Sequence, residues 1–139
     1  MKYFTIEELT RSDTAEEHGI DNTPTKEAKE KLVALVDNVL DPLREMYGKP
    51  ITVNSGYRGP VLNSCIGGAK TSQHCKGEAS DITGGNKEAN KRLFELIREK
   101  LPFDQLINEY DYSWVHVSYK SSGNRKEVLK CVNGKYLPG

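Results

Sequence analysis

Two histidines and one aspartate are the residues of this chain that could do chemistry together: His74 and Asp81, and later His116. Two imidazoles and one carboxylate are the ligands of an open catalytic zinc site, which keeps a fourth position for water. Such a site keeps a net charge of about +1, which can lower the pKa of a bound water from ~16 to roughly 7. The set therefore predicts metal-assisted hydrolysis. His18, the third histidine, lies in a charged stretch and is interpreted as a surface residue.

The spacing of these residues indicates which elements would carry them. His74 and Asp81 are seven residues apart, which suits a loop followed by a strand and does not suit one helical turn. Side chains alternate between the two faces of a strand, so Trp114, His116 and Ser118 would share one face, with valines on the other. We therefore expect His116 to point into a cleft.

Length and composition restrict the class of protein. The chain has 139 residues, a single-domain length, and its 20 Lys and Arg residues balance 20 Asp and Glu residues. A net charge of zero argues against a nucleic-acid partner, because neutralising phosphates requires a basic excess. No apolar run could span a bilayer, and the acidic residues Glu7 and Glu8 argue against a secretory signal. We expect a monomer that is made in the cytoplasm without a signal peptide and does not insert into membranes.

The three cysteines give no sign of a shared function. Cys65, Cys75 and Cys131 have no paired spacing, and no CxxC motif is present, so we expect free thiols and no disulfide framework. A cysteine hydrolase that uses Cys75 or Cys131 with a histidine is an alternative. It is disfavoured because Cys75 is adjacent to His74, and neighbouring residues on a strand point apart.

The hydrophobic pattern predicts helices first and strands later. Helices are predicted at 5–9, from Thr23-Pro24 to Tyr47 with a kink or restart at Asp41-Pro42, at 61–65, and from Asn86 to Leu101. A surface loop is predicted at 12–22. Strands are predicted at 51–54, 78–83, 104–109, 114–119, 127–132 and 135–137, with an Asn133-Gly134 turn between the last two. The predicted class is α+β, a small antiparallel sheet with helices packed on one face.

Four ordered motifs resemble those of a known family. They are Ser55-Gly56-Tyr57-Arg58, Gly67-Gly68-Ala69, Ser72-Gln73-His74-x-x-Gly77-x-Ala79-x-Asp81 and Trp114-Val115-His116. Together they resemble the D-alanyl-D-alanine carboxypeptidase family of zinc peptidases, which includes cell-wall carboxypeptidases and phage endolysins. The hedgehog signalling domain shares that scaffold. The resemblance covers about 25–119 and implies a single zinc peptidase domain over 1–139.

The resemblance implies a role for each matching residue. His74, Asp81 and His116 would bind one catalytic Zn²⁺ ion. Arg58 would hold a substrate carboxylate or a polarised carbonyl, for which a permanently charged, bidentate guanidinium is suited. Substrate contacts are also implied for three residues that would line the site: Ser72, Gln73 and Trp114.

The general base is implied less directly. The family places an acidic residue shortly before the last histidine ligand, and this chain offers Glu109 and Asp111, while Ser113 occupies the position that is acidic in many relatives. Glu109 ends a Leu-Ile-x-Glu pattern that resembles the closest subgroup, so we favour it. Asp111 remains the alternative. The base would take a proton from the attacking water and deliver it to the leaving amine.

The resemblance implies a zinc metallopeptidase that acts on the stem peptides of peptidoglycan. The bond cut is left open between D-Ala-D-Ala and L-Ala-D-Glu. The chain shows no signal peptide and no cell-wall-binding domain, which favours a phage or prophage lysin that a holin releases to the cell wall. A non-catalytic zinc-binding interaction module of the same fold is the alternative.

Overall fold

The computed structural model describes residues 1–139 and shows a sheet with short helices around it. Six α-helices are present: α1 (Ile6–Thr10), α2 (Asp13–Glu17), α3 (Lys26–Leu35), α4 (Asp41–Tyr47), α5 (Pro60–Cys65) and α6 (Lys87–Lys100). A π-helical turn, Val36–Leu40, joins α3 to α4, and a 3₁₀ turn, Gln73–Lys76, lies between α5 and the second strand.

The sheet has six strands in the order β1-β2-β4-β3-β5-β6. They are β1 (Thr52–Ser55), β2 (Ala79–Thr83), β3 (Gln105–Glu109), β4 (Trp114–Ser118), β5 (Glu127–Val132) and β6 (Lys135–Pro138). Every pair of neighbours is antiparallel except β3 and β5. The predicted α+β class is confirmed, and Asn133 and Gly134 form the predicted turn, both with positive φ.

The parallel pairing of β3 with β5 is the one exception to the antiparallel sheet that the sequence predicted. β4 ends beside the start of β3, where Val117 is opposite Leu106. The short connection at 119–126 crosses to the other edge of β3, and Glu127 becomes the partner of Gln105. Since β5 starts at the end of the sheet where β3 starts, the two strands must run in the same direction.

The two faces of the sheet differ in character. Leu106, Val115, Val117 and Ile82 belong to the hydrophobic core, together with apolar side chains of α3, α4 and α6. The alternate residues of the same strands point the other way, toward a cleft. Helices therefore cover one face of the sheet and leave the opposite face for a functional site.

Helix caps fix the helix starts, and one predicted loop and one predicted helix start require correction. The predicted loop at 12–22 contains α2, because Ser12 accepts a hydrogen bond from the Ala15 N–H and Ala15 is buried. The helix predicted from Thr23-Pro24 begins at Lys26, because Thr25 is the N-cap. Thr23 lies two residues before this N-cap, and its hydroxyl donates to Asp21 instead. A polar sequence can thus hide a short capped helix.

A π turn accommodates the proline in the long helical segment. Pro42 has no N–H and its ring would clash with the carbonyl four residues earlier. The N–H of Asp41 bonds to the Val36 carbonyl, five residues back, so the turn widens directly before the proline. The kink or restart predicted at Asp41-Pro42 is this turn. Gly48, with φ of 75°, ends α4 as predicted.

The helices are too short or too polar for a membrane span, so none qualifies as one. The three cysteines are free, and they differ in exposure: Cys65 is exposed, Cys75 is intermediate and Cys131 is buried. Cys131 belongs to β5, beside Glu109 of β3. Its burial fits a small apolar side chain in the sheet.

Candidate metal centre and cleft

His74 is held by the 3₁₀ turn that precedes β2. Ser72 caps this turn by accepting a hydrogen bond from the His74 N–H at 3.2 Å. The His74 side chain is buried, and its Nδ1 lies 2.8 Å from the Gly56 carbonyl oxygen. Because a carbonyl only accepts, Nδ1 must carry the proton, which leaves Nε2 as the free ligand atom.

The turn after His74 depends on a glycine. Gly77 has φ of 78°, in the left-handed region that L side chains avoid. A Cβ at this position would also collide with the backbone carbonyl of Ala28 in α3. The close approach of α3 to this turn fixes where His74 lies relative to β2.

Gly77→Ala is expected to lower the free energy of unfolding of the metal-free protein by about 3 kcal/mol or more, from backbone strain plus a steric collision. Gly123→Ala is the matched control, because Gly123 has φ of 73° with open space around it. Its cost should be the strain alone, about 1–2 kcal/mol. Urea unfolding measures both values. Equal losses in the two variants would contradict the packing of α3 against Gly77.

Asp81 and His116 face each other across two neighbouring strands. They are register partners in the pairing of β2 with β4, and His116 Nδ1 lies 2.9 Å from Asp81 Oδ1. Burial would raise the pKa of Asp81, but hydrogen bonds with His116 and His74 lower it well below its ordinary value. The carboxylate therefore stays ionised, which is the form that binds a metal.

The three side chains fit a zinc ion. One ligand atom from each residue lies within 4.8 Å of the others. In a tetrahedral zinc site with bonds of about 2.0–2.2 Å, ligand atoms are about 3.3–3.6 Å apart. Here Asp81 Oδ2 lies 3.5 Å from His74 Nε2, within that range, and Asp81 Oδ1 lies 2.9 Å from His116 Nδ1, which is a hydrogen-bond distance. Two nitrogens and one oxygen suit zinc better than magnesium or calcium, which take oxygen ligands. Three protein ligands would leave one position of a tetrahedral ion open.

Arg58 lies beside this cluster and is oriented by the same turn. Its Nη2 donates to Ser72 Oγ at 3.1 Å, and its backbone N–H donates to the His74 carbonyl at 3.0 Å. The preceding residue, Tyr57, is tied to α1 because its N–H donates to the Leu9 carbonyl at 2.8 Å. Arg58 Nε is buried and has no hydrogen-bond partner, so the guanidinium keeps a donor for another group.

Glu109 is a buried carboxylate at the end of β3. Its side chain lines the cleft, and only 7% of the residue is exposed. Burial raises the pKa of Glu109 and the negative charge of Asp81 raises it further, while His116 opposes the rise. One carboxylate oxygen, Oε1, has no hydrogen-bond partner. A carboxylate with a raised pKa and a free oxygen can accept a proton.

Asp111 occupies a different environment. It lies outside the cleft lining, its side chain is 75% exposed, and its carboxylate pairs with Lys87 at 2.6 Å. Asp111 belongs to the tight turn between β3 and β4, where Tyr110, Asp111 and Tyr112 all have positive φ. This turn carries Asp111 away from the ligand cluster and leaves Glu109 beside it.

The cleft has a volume of about 830 Å³ and opens on the face of the sheet opposite the helices. Eight of the residues that the sequence singled out line it: Arg58, Ser72, Gln73, His74, Asp81, Glu109, Trp114 and His116. Trp114 and Tyr110 form an aromatic wall, with ring centroids 5.5 Å apart. Ser118, which shares a strand face with His116, is fully buried outside the cleft lining, and its hydroxyl accepts the Gln105 N–H at 3.0 Å.

A comparison with protein families assigns the chain. The profile of the family described as Peptidase M15 matches residues 2–118, which include all the candidate site residues above. The chain belongs to the peptidase M15 family. The zinc peptidase family that the motifs resembled is thereby confirmed.

A curated relative of this M15 family member is the zinc D-Ala-D-Ala carboxypeptidase of Streptomyces albus G. The two are 45% identical over 49 residues, which are 34% of this chain and 19% of the relative. The match therefore spans about a fifth of the relative's length. The zinc ion and the D-Ala-D-Ala substrate that this name mentions are properties of the relative.

Three cleft residues of this M15 protein lie beyond the family match: Arg125, Leu129 and Tyr136. Sequence reasoning missed them because it treated this region as a hairpin with no link to the site. The link is the parallel pairing of β3 with β5, which sets Leu129 opposite Ile107. The alternation along β5 could have placed Leu129 only if that pairing had been known.

Asp104 joins the C-terminal segment to the site. The side chain is fully buried, and Oδ2 accepts from Gln73 Nε2 at 3.1 Å and from Arg125 Nη2 at 2.7 Å. Oδ1 accepts from the backbone N–H and Nε of Arg125 at 3.0 and 3.1 Å. Hydrogen bonds from Arg125 lower the pKa of Asp104 to about 2. Gln73, next to His74, is thus fixed by a carboxylate outside the cleft lining.

Asp104→Asn is expected to destabilise the protein most near neutral pH. The folded-state pKa of about 2 lies below the ordinary 3.8, so the ionised carboxylate adds stability above pH 3.8 that is lost as the pH falls through 2. The difference in unfolding free energy between wild type and variant should therefore shrink between pH 5 and pH 2. Asp13→Asn, at the exposed Asp13–Arg11 pair, is the control and should cost at most roughly 1 kcal/mol. A constant difference for Asp104→Asn over that range would contradict the prediction.

Proposed function

We propose that this chain is a zinc-dependent peptidase that hydrolyses stem peptides of peptidoglycan, as a D-Ala-D-Ala carboxypeptidase or an L-Ala-D-Glu endopeptidase. The observation that carries the proposal is the meeting of a possible metal-ligand set, a buried carboxylate and an arginine in one cleft. Membership of the peptidase M15 family and the name of the Streptomyces relative support it. We take residues 1–139 as one domain that acts as a monomer.

In this proposal His74, Asp81 and His116 hold the zinc ion. When bound there, zinc supplies Lewis-acid charge at the scissile carbonyl and promotes the ionisation of water. The low exposure of the cluster supports the assignment: His74 is buried, and the side chains of Asp81 and His116 are 18% and 12% exposed. An ion shielded from bulk water acts more strongly on a nearby carbonyl.

Glu109 is the general base in this proposal. Its free Oε1 takes a proton from the attacking water, and the same carboxylate then delivers the proton to the leaving amine. The raised pKa of Glu109 supports both steps, because it lies closer to neutral pH than the pKa of an exposed glutamate does. Asp111, exposed and paired with Lys87, is the weaker candidate.

Arg58 binds the substrate in this proposal. Its hydrogen bond to Ser72 fixes the guanidinium beside the ligand cluster, and its remaining donors face a carboxylate or the polarised carbonyl oxygen. Gln73 and Trp114 complete the wall of the substrate cleft. Trp114 Nε1 and Gln73 Oε1 are buried without hydrogen-bond partners, which supports a role in binding polar groups.

Digestion of intact peptidoglycan tests the proposal and distinguishes the two bonds. Zinc-loaded protein is incubated with purified cell walls, and the soluble products are identified by mass spectrometry. Free D-alanine indicates a D,D-carboxypeptidase, and new N-terminal D-glutamate indicates an L-Ala-D-Glu endopeptidase. Either product should disappear in a chelator-treated control. Zinc binding without any product, on walls of several chemotypes, would favour a non-catalytic zinc module instead.

For the cellular role, we propose a phage or prophage lysin that is made in the cytoplasm and reaches the cell wall when a holin releases it. A cleft on the uncovered face of the sheet supports action on a polymer, because the scissile peptide can enter while the rest of the wall stays outside. Expression in a bacterial host should cause lysis only when a holin is coexpressed. Lysis without the holin, or none with it, would contradict this role.

A further inference from the structure

We propose that Arg125 forms a second anion subsite in the cleft, which binds a carboxylate of the substrate other than any that Arg58 holds. The inference rests on the proposed peptidase function, because the carboxylate belongs to the same substrate. Arg58 and Arg125 are the two cations of the cleft lining apart from the histidines. Arg125 lies beyond the residues that match the family, so the subsite would be a feature of the C-terminal segment of this chain.

The guanidinium of Arg125 is held along one edge only. Its Nε and Nη2 donate to the two oxygens of Asp104 at 3.1 and 2.7 Å. Arginine has five N–H donors in a planar fork, so three remain, including both hydrogens of Nη1. The nearest acidic oxygen to Nη1 is Glu127 Oε1 at 3.8 Å, which is too far for a hydrogen bond.

Neighbouring side chains keep this arrangement in place. Asp104 is fully buried, while the Arg125 side chain is 50% exposed, so the guanidinium reaches from a fixed anchor into the cleft. Glu127 is occupied by Gln105, whose Nε2 donates to Glu127 Oε1 at 2.6 Å. A preorganised guanidinium with a free edge binds an anion at a lower entropic cost than a mobile one.

The chemistry of the free edge favours a carboxylate. Two parallel N–H donors match the two oxygens of a carboxylate, which gives short, charge-assisted hydrogen bonds. Leu129 and Tyr136 line the cleft in the same C-terminal segment and could pack against the carbon chain that carries the carboxylate. The expected ligand is therefore an acidic residue of the peptide, such as a γ-linked glutamate with a free α-carboxylate.

Two matched peptides test this subsite. They are L-Ala-γ-D-Glu-L-Lys-D-Ala-D-Ala and the same peptide with the glutamate α-carboxyl group converted to a carboxamide. We expect wild type to prefer the acid by about 10-fold or more in KM, since a hydrogen bond to a charged group is worth about 1.5–3 kcal/mol. In Arg125→Gln the ratio of the two KM values should fall to near one.

Two further variants keep the test informative. Arg125→Gln removes the arginine partner of the buried Asp104 carboxylate, so this variant should lose stability. We therefore include the double variant Asp104→Asn/Arg125→Gln, which removes both charges and should show the same loss of preference. Arg98→Gln, on the exposed side of α6, is the control and should retain the wild-type ratio. An acid preference that survives in folded Arg125 variants would overturn the subsite.

A binding measurement distinguishes failure of the subsite from failure of the proposed function. Both peptides are made with a ketomethylene group in place of each candidate scissile amide and titrated calorimetrically into the zinc-loaded variants. Acid-selective binding that depends on Arg125 without cleavage of the normal peptides would support the subsite and contradict the peptidase. Cleavage of both peptides with no acid preference in binding or in KM would support the peptidase and overturn the subsite.

Discussion

Replacing His116 with alanine is expected to abolish tight zinc binding and to lower peptidase activity by at least about 10³-fold. The site offers three protein ligands and no fourth, so losing one leaves a single histidine and a carboxylate. Mutating a residue that only hydrogen-bonds a metal ligand typically lowers metal affinity or activity by about 10- to 100-fold. Loss of a ligand itself should lower both by more. Competition with a chromophoric chelator measures zinc affinity, and release of peptide product measures activity.

The control for this prediction is His18→Ala. His18 is exposed and lies outside the cleft lining, so this variant removes an imidazole without touching the cluster. It should bind one zinc ion with wild-type affinity. The circular dichroism spectrum of metal-free His116→Ala should match that of metal-free wild type, which excludes unfolding as the cause. Unchanged zinc affinity in His116→Ala would contradict the ligand assignment.

Glu109→Gln is expected to keep the zinc ion and to lower kcat by about 10²- to 10⁴-fold, the range for loss of a general base. The substitution preserves the size of the side chain and removes only its ability to accept and return a proton. Because Glu109 is not a member of the ligand cluster, zinc affinity should change little. The diagnostic result is therefore a variant that is metal-loaded and folded but nearly inactive.

Asp111→Asn is the matched control for the base. Asp111 lies close to Glu109 in the sequence, but its side chain is exposed and paired with Lys87. The kcat of the Asp111→Asn variant should therefore stay within about twofold of the wild-type value, as expected for a surface change. If Glu109→Gln kept the wild-type kcat and Asp111→Asn were inactive, the general base would be Asp111. The turn at 110–112 would then have to rearrange when substrate binds.

The sequence could indicate the candidate ligand cluster because its geometry follows from local rules. Alternation along β4 places Trp114 and His116 on one face and the valines on the other. A short loop before β2 places His74 near Asp81. The pairing of β2 with β4 then brings His116 opposite Asp81, a contact that spacing alone does not reveal and that the resemblance to a family implied.

The part of the cleft that residues 119–139 line could not be predicted in the same way. Arg125 and Tyr136 reach the cleft only because β5 pairs in parallel with β3, and no periodicity in residues 119–139 encodes that partner. Asp104 was interpreted as the start of a strand, whereas its buried contacts to Gln73 and Arg125 join residues 31 and 21 positions apart. Contacts between distant segments depend on the packed chain, and local propensity carries little information about them.

Stepwise reconstitution with zinc tests the central claim most directly. Metal-free protein is titrated with Zn²⁺ while bound zinc and release of product from a defined stem peptide are followed in the same samples. We predict that activity rises linearly, stops at one zinc ion per chain and stays absent in Glu109→Gln at the same occupancy. Full activity in the metal-free protein, or a saturated site that releases no product from any stem peptide, would contradict a zinc peptidase.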